Sequence, residues 1–160
     1  MQLKILIATT LMATAGQAIA AGPTTTGASA APGNRVVGIW SNASQVGPCG
    51  QPATTTGYNT VIFQAGGTLV DNPRAPAGTP TQRSIGLGVW SYNRATGQYS
   101  QRVQFDWFLN GAYDGYQVVW RDFLLSNDGD VASGDVTTTR YNADGSVRAE
   151  LCGSAVSNRI

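Results

Sequence analysis

Apolar and polar residues alternate along most of the chain in eight short runs: 35–43, 58–65, 67–72, 85–93, 99–110, 115–126, 131–142 and 147–158. A period of two is the mark of a strand with one buried face, and no stretch shows the period of three to four of an amphipathic helix. The runs are separated by Gly66-Gly67, Thr96-Gly97, Asp128-Gly129 and Asp144-Gly145. These residues tolerate the positive φ of hairpin loops. Two segments are too long for tight turns, 44–57 and the Pro-rich 71–84, and are expected as loops at one open end. The pattern predicts an all-β chain of eight antiparallel strands in up-and-down order, with no C-terminal helix. Closing that meander into a barrel removes the two exposed edges. A barrel of this size either fills with side chains or encloses one small ligand.

The chain has 160 residues, and its first twenty differ from the rest. Lys4, the apolar run that follows and Ala18-Ile19-Ala20 have the order of a secretory signal peptide, so residues 1–20 are expected to be removed. The apolar run is too short for a spanning helix and no later segment is long enough. Residues 21–33, rich in small residues, Thr, Pro and Gly, read as a flexible N-terminal arm. Residues 34–160 then form a single barrel domain, expected in the periplasm or secreted.

Charge and residue usage narrow the chemistry. Without its only lysine, Lys4, the chain sets nine arginines against nine acids. That balance gives no basic field for nucleic acid or anionic lipid. Histidine is absent, which removes the commonest general base and metal ligand. No Gly-rich phosphate loop opens a helix. Neither metal nor cofactor is expected. Cys49 and Cys152 are one pair in a chain read as exported, so a disulfide is the default. It closes a loop of about 100 residues, for which chain entropy gives about 4–5 kcal/mol as an upper figure. In a closed barrel the first and last strands are neighbours, so this bridge agrees with closure.

Taking 111–114 as a four-residue loop sets Leu109 opposite Tyr116, Phe105 opposite Trp120 and Val103 opposite Asp122. This register puts Val103, Phe105, Trp107, Val118, Trp120 and Leu124 inside, with Asp122 beside them. Arg121, Phe123 and Leu125 then point out with Phe108, an apolar outer face that suits a homo-oligomer. A two-residue turn at Asp128-Gly129 sets Asp122 opposite Asp135, with Thr137 and Thr139 further along the interior. Two carboxylates on a dry wall raise each other's proton affinity and suit acid–base work or a polar ligand. The alternatives are an arginine partner for one of them, a bulge that turns one outward, or a wet barrel mouth. Trp90, Trp107 and Trp120, with Tyr92, Tyr99 and Tyr116, either line a pocket or fill the barrel.

Gly38-Ile39-Trp40, eight strands in sequence order and Arg159 near the chain end resemble the calycin superfamily of lipocalins, fatty-acid-binding proteins and avidins. The resemblance implies that Trp40 closes one barrel end under the Arg159 guanidinium, with Gly38 preceding it. Gly38-Ile39-Trp40-Ser41-Asn42 is similar to the G-x-W-x-N of avidins, but the lipocalin T-D-Y motif is missing. The implied function is a non-enzymatic, lipocalin-like binding of a small apolar or amphipathic molecule. Its expected lining is Trp90, Phe105, Trp107, Tyr116, Trp120, Asp122 and Asp135. A second reading resembles exported bacterial metalloprotease inhibitors, with the arm entering a protease. A third is an enzyme built on Asp122 and Asp135.

Overall fold

A computed structural model of the chain describes residues 32–74 and 79–160. The expected signal peptide, and the arm up to residue 31, lie outside the described residues. Pro32–Val36 is a single turn of 3-10 helix that leads into the first strand. The strands that follow are β1 (Gly38–Pro48), β2 (Thr55–Phe63), β3 (Thr68–Pro73), β4 (Thr81–Arg83), β5 (Gly86–Asn93), β6 (Gln98–Leu109), β7 (Ala112–Leu125), β8 (Val131–Tyr141) and β9 (Val147–Arg159).

All pairings are antiparallel, and β6 joins β5 on one side and β7 on the other, so the sheet closes. Strands β4 and β5 both pair with β6, through Arg83 opposite Trp107 and Leu87 opposite Gln104. They act as one broken strand, and the closed wall is the expected barrel of eight. The break lies at Ser84-Ile85, where Ser84 N donates to Asp106 O at 2.9 Å and Asp106 N donates to Ser84 Oγ at 3.0 Å. Gly88 lets β5 lie close to β6, since a Cβ there would stand 2.3 Å from Arg102 O. The loop expected over 44–57 is shorter, because β1 runs on to Pro48 and β2 begins at Thr55. Cys49 and Cys152 are bonded, tying the end of β1 to β9. Gly47 already faces Cys152 in the ladder.

The β6–β7 register corrects the expected one. The hairpin turns on Asn110-Gly111, both at positive φ, with Leu109 opposite Ala112. A bulge then shifts the pairing so that Trp107 faces Gly115, which holds φ +106°. Consequently Val103 faces Val119, three residues from the expected Asp122. An odd slip reverses every side chain of a strand. Strand β7 therefore turns Gln117, Val119, Arg121, Phe123 and Leu125 inward. Val118, Trp120, Asp122 and Leu124 belong to the outer face, and Phe123 and Leu125 leave the apolar outer patch proposed for a homo-oligomer. The β7–β8 register is as expected, with Asp122 opposite Asp135, so Asp135, Thr137 and Thr139 share that outer face.

The inward side chains are zoned along the barrel axis. At one end Val36, Trp40, Phe63, Leu69, Tyr99 and Phe123 form a dry plug. Tyr99 stacks on Phe123 with ring centroids 5.3 Å apart, and Phe123 lies 5.8 Å from Phe63. One step further along the same strands the inward residues become polar: Asn42, Asn59, Asp71, Gln101, Arg121 and Ser157, all buried. This layer is the floor of the site.

Candidate functional site

Above the plug the barrel is hollow. A cavity of about 400 Å³ runs from Asn42, Asn59 and Arg121 at its floor, past Val103, Phe105, Val119 and Ala155, to Trp107, Arg140, Arg148 and Leu151. This volume lies within the range of small-molecule pockets. The wall is apolar in its middle, while floor and mouth are polar.

The floor is a directed chain of hydrogen bonds. Arg121 Nη1 and Ser157 Oγ both donate to Asn42 Oδ1, at 3.4 and 2.7 Å. Arg121 Nη1 also reaches Ser157 Oγ at 2.8 Å. Asn42 Nδ2 donates to Asn59 Oδ1 at 2.7 Å, and Asn59 Nδ2 donates to Asp71 Oδ1 at 2.5 Å. Arg83 Nη2 closes the chain on Asp71 Oδ1 at 3.0 Å. Alternation places these residues: Asn42 is two along from Trp40, Asn59 two from Val61, and Asp71 two from Leu69, so each shares the inner face of an apolar neighbour.

Arg121 stands apart electrostatically. Its Nη2 donates to the carbonyls of Ala132 and Ala155 at 2.9 and 3.0 Å. Its guanidinium lies over the Phe123 ring at 4.7 Å. No carboxylate among the described residues pairs with it, and it is only 3% exposed. Burial disfavours the charged form and brings its pKa down to about 10. The guanidinium is thus still a cation at neutral pH.

The mouth is held by a second cluster. Arg140 and Arg148 both meet Asp114 Oδ2 at 2.8 Å. Arg140 lies over the Trp107 ring at 4.5 Å, and Arg83 over Phe105 at 4.2 Å. Trp107 Nε1 donates to Gln117 Oε1 at 2.8 Å, and Gln117 Nε2 donates to Thr138 Oγ1 at 2.6 Å. Burial, then the neighbouring Arg148, lowers the Arg140 pKa against the pull of Asp114.

Of the residues expected to line the site, Phe105 and Trp107 do so. Trp90 instead packs against the plug, 6.3 Å from Phe63, with Nε1 donating to Gln64 O at 2.9 Å. Tyr116 stacks on Tyr141 at 4.6 Å, on the face opposite to Gln117. Trp120 is 40% exposed, and Asp122 accepts from Ser100 Oγ at 2.5 Å on the outer wall. Asp122 and Asp135 face one another there in solvent, which removes the dry wall that acid–base use of the pair requires. Trp40, by contrast, is fully buried under Arg159, whose guanidinium carbon is 4.3 Å from its ring centre. A Cβ at Gly38 would stand 2.7 Å from Arg159 Nη1, so the glycine leaves room for the guanidinium.

Asn42, Asn59, Asp71, Arg83, Gln101 and Arg121 are site residues that the sequence pattern alone does not single out. The available signal was a polar residue spaced by two from apolar ones on the same strand. Comparison with protein-family models, with curated proteins and with solved structures finds no match.

Proposed function

We propose that this chain is an exported, non-enzymatic binding barrel that takes one small amphipathic molecule into its interior. One observation carries the reading. Among the described residues, the buried side-chain polar atoms left without a hydrogen-bond partner are Arg83 Nη1, Gln101 Oε1, Arg121 Nε and Arg140 Nε, and all four residues line the same cavity. Folded proteins pair nearly all such atoms, and leaving one unpaired costs about 1–3 kcal/mol. A cluster of them around a void marks a place prepared for an occupant. The apolar belt of Val103, Phe105 and Val119 supplies the contact for its body. The disulfide fits an oxidising compartment, and no helix among the described residues is long and apolar enough to cross a membrane.

Trp107 sits in the cavity wall, so occupancy should change its emission. Titration of the purified protein with a panel of amphipathic aromatics and short lipids should give saturable quenching that Trp107→Phe abolishes and Trp120→Phe leaves intact. A flat response across the panel, or quenching that persists without Trp107, defeats the reading.

A further inference from the structure

We infer that the interior site selects an anion, and that an amphipathic organic acid enters head first, with its carboxylate or sulfonate against Arg121. The inference rests on the interior-binding reading above and adds the charge and the orientation of the ligand.

The first ground is the charge of the cavity. Among the described residues, Arg83, Arg121, Arg140 and Arg148 line it, against the single lining carboxylate of Asp71. Asp71 is engaged by Arg83, and Asp114 at the rim is shared between Arg140 and Arg148. Four guanidinium groups thus meet two carboxylates, leaving an excess of two positive charges in a site walled by hydrocarbon. Low-dielectric walls strengthen such a field.

The second is the state of Arg121. Its two Nη atoms are held by neutral oxygens, and its buried Nε–H has no acceptor. Buried charges are normally paired, because an isolated one is far costlier to desolvate than a neutral group. The missing partner is an oxyanion. Gln101 is the direct cross-strand partner of Arg121, and both side chains face inward. Its Oε1 has no donor, so a half-turn of the amide presents an N–H to the same anion.

The third is the order of surfaces. The plug of Trp40, Phe63 and Phe123 blocks passage below Arg121. Between Arg121 and the mouth lie Val103, Phe105 and Val119. An apolar body can therefore trail behind the anion but cannot precede it. A neutral amphiphile of the same shape would leave the Arg121 cation uncompensated.

Two fluorescent probes that share one body separate the possibilities: anilinonaphthalene sulfonate and the uncharged phenylnaphthylamine. The wild-type protein should bind the sulfonate roughly tenfold or more tightly than the neutral probe, the usual scale of a hydrogen-bonded charge. Arg121→Gln should erase that preference and Arg121→Lys should keep part of it, while Trp120→Ala, on the outer wall, should change neither affinity. Each variant is first checked by near-ultraviolet circular dichroism. If Arg121→Gln fails to fold, the wild-type and Arg121→Lys preferences decide. Equal affinity for the two probes in the wild type overturns the anion site while leaving interior binding standing. Sulfonate binding that is unchanged in a folded Arg121→Gln protein also overturns it. Failure of both probes to quench Trp107 removes the interior reading and this inference together.

Discussion

Arg159, the penultimate residue, lies over the indole of Trp40 and ties the last strand to the 3-10 turn, the start of β1 and the β7–β8 turn at the plug end of the barrel. Its Nη1 donates to Val37 O at 3.0 Å, while Nε and Nη2 donate to Gly129 O at 3.1 and 2.9 Å. Trp40 Nε1 donates to Val36 O at 2.8 Å, so the ring is fixed at its edge as well as its face. One side chain thus joins β1, the β7–β8 turn and the 3-10 turn. Arg159→Ala should cost about 2–4 kcal/mol, through lost carbonyl partners and the cation–π contact. Arg159→Lys should recover less than half, because an ammonium cannot span those carbonyls. Urea unfolding of the three proteins tests this, and an alanine variant within 0.5 kcal/mol of wild type, about the scale of an ordinary surface change, would refute it.

The inverted face of β7 makes a second test, independent of any ligand. Phe123, 1% exposed, belongs to the plug, whereas Trp120 stands on the outer wall with Arg102 5.8 Å from its ring. Phe123→Ala should cost about 3–5 kcal/mol, as large aromatic truncations in cores do. Trp120→Ala should cost about 1 kcal/mol or less, despite the larger side chain removed. The reverse order would restore the four-residue loop at 111–114.

That register also shows where the sequence was legible and where it was not. The eight runs appear as strands because a half-buried strand must alternate, and because Gly66-Gly67, Asp128-Gly129 and Asp144-Gly145 leave little freedom in turn position. The β7–β8 pairing followed directly, down to Asp122 opposite Asp135. At β6–β7 the strongest hairpin signal is Asn110-Gly111, which slips the expected register by four residues and would keep the faces; the bulge at Asp114, beside the positive-φ Gly115, takes one back, and the resulting odd slip of three inverts β7. With Val118, Trp120 and Leu124 alternating against Val119, Arg121 and Phe123, both faces of β7 are apolar enough to pass for the interior. The alternation alone therefore points Arg121 to solvent and hides the polar floor with it. The short β4 lay unseen because Thr81, Gln82 and Arg83 carry no apolar alternation, and their strand form comes only from pairing with β6.

The Cys49–Cys152 bridge should stabilise the fold while leaving the site intact. It spans 103 residues, so reduction frees a long loop in the unfolded chain, worth at most about 4–5 kcal/mol in the entropy model. The β1–β9 ladder still holds the two strands together from Trp40 opposite Arg159 to Pro48 opposite Leu151. Cys49→Ser with Cys152→Ser should therefore fold, unfold at a lower urea midpoint, and bind the sulfonate probe within a factor of about three of wild type. Loss of probe binding in a folded double variant would show that the bridge shapes the cavity mouth.

Alkaline pH provides the last test, through Tyr99. Its hydroxyl donates to Pro32 O at 3.0 Å, where the 3-10 turn covers the plug. Burial, then the neighbouring Tyr92, raises its pKa above 10.0, against the weaker pull of Arg35 and Arg159. A raised acid favours its neutral form in the folded state, so its contribution is complete below the unfolded value of 10.0 and is lost as pH climbs through the folded value. Arg121 works in the opposite direction: its lowered pKa means that the cost of burying its charge eases as pH rises above about 10. Both Tyr99→Phe and the wild type carry the Arg121 effect, so their difference isolates the tyrosine. Tyr99→Phe should be about 1 kcal/mol less stable at neutral pH, the scale of one hydrogen bond. That gap should shrink, then vanish, in denaturant titrations carried above the free-tyrosine value. A gap that stays constant or widens would mean that the Tyr99 phenol is not confined to its neutral form beneath the turn.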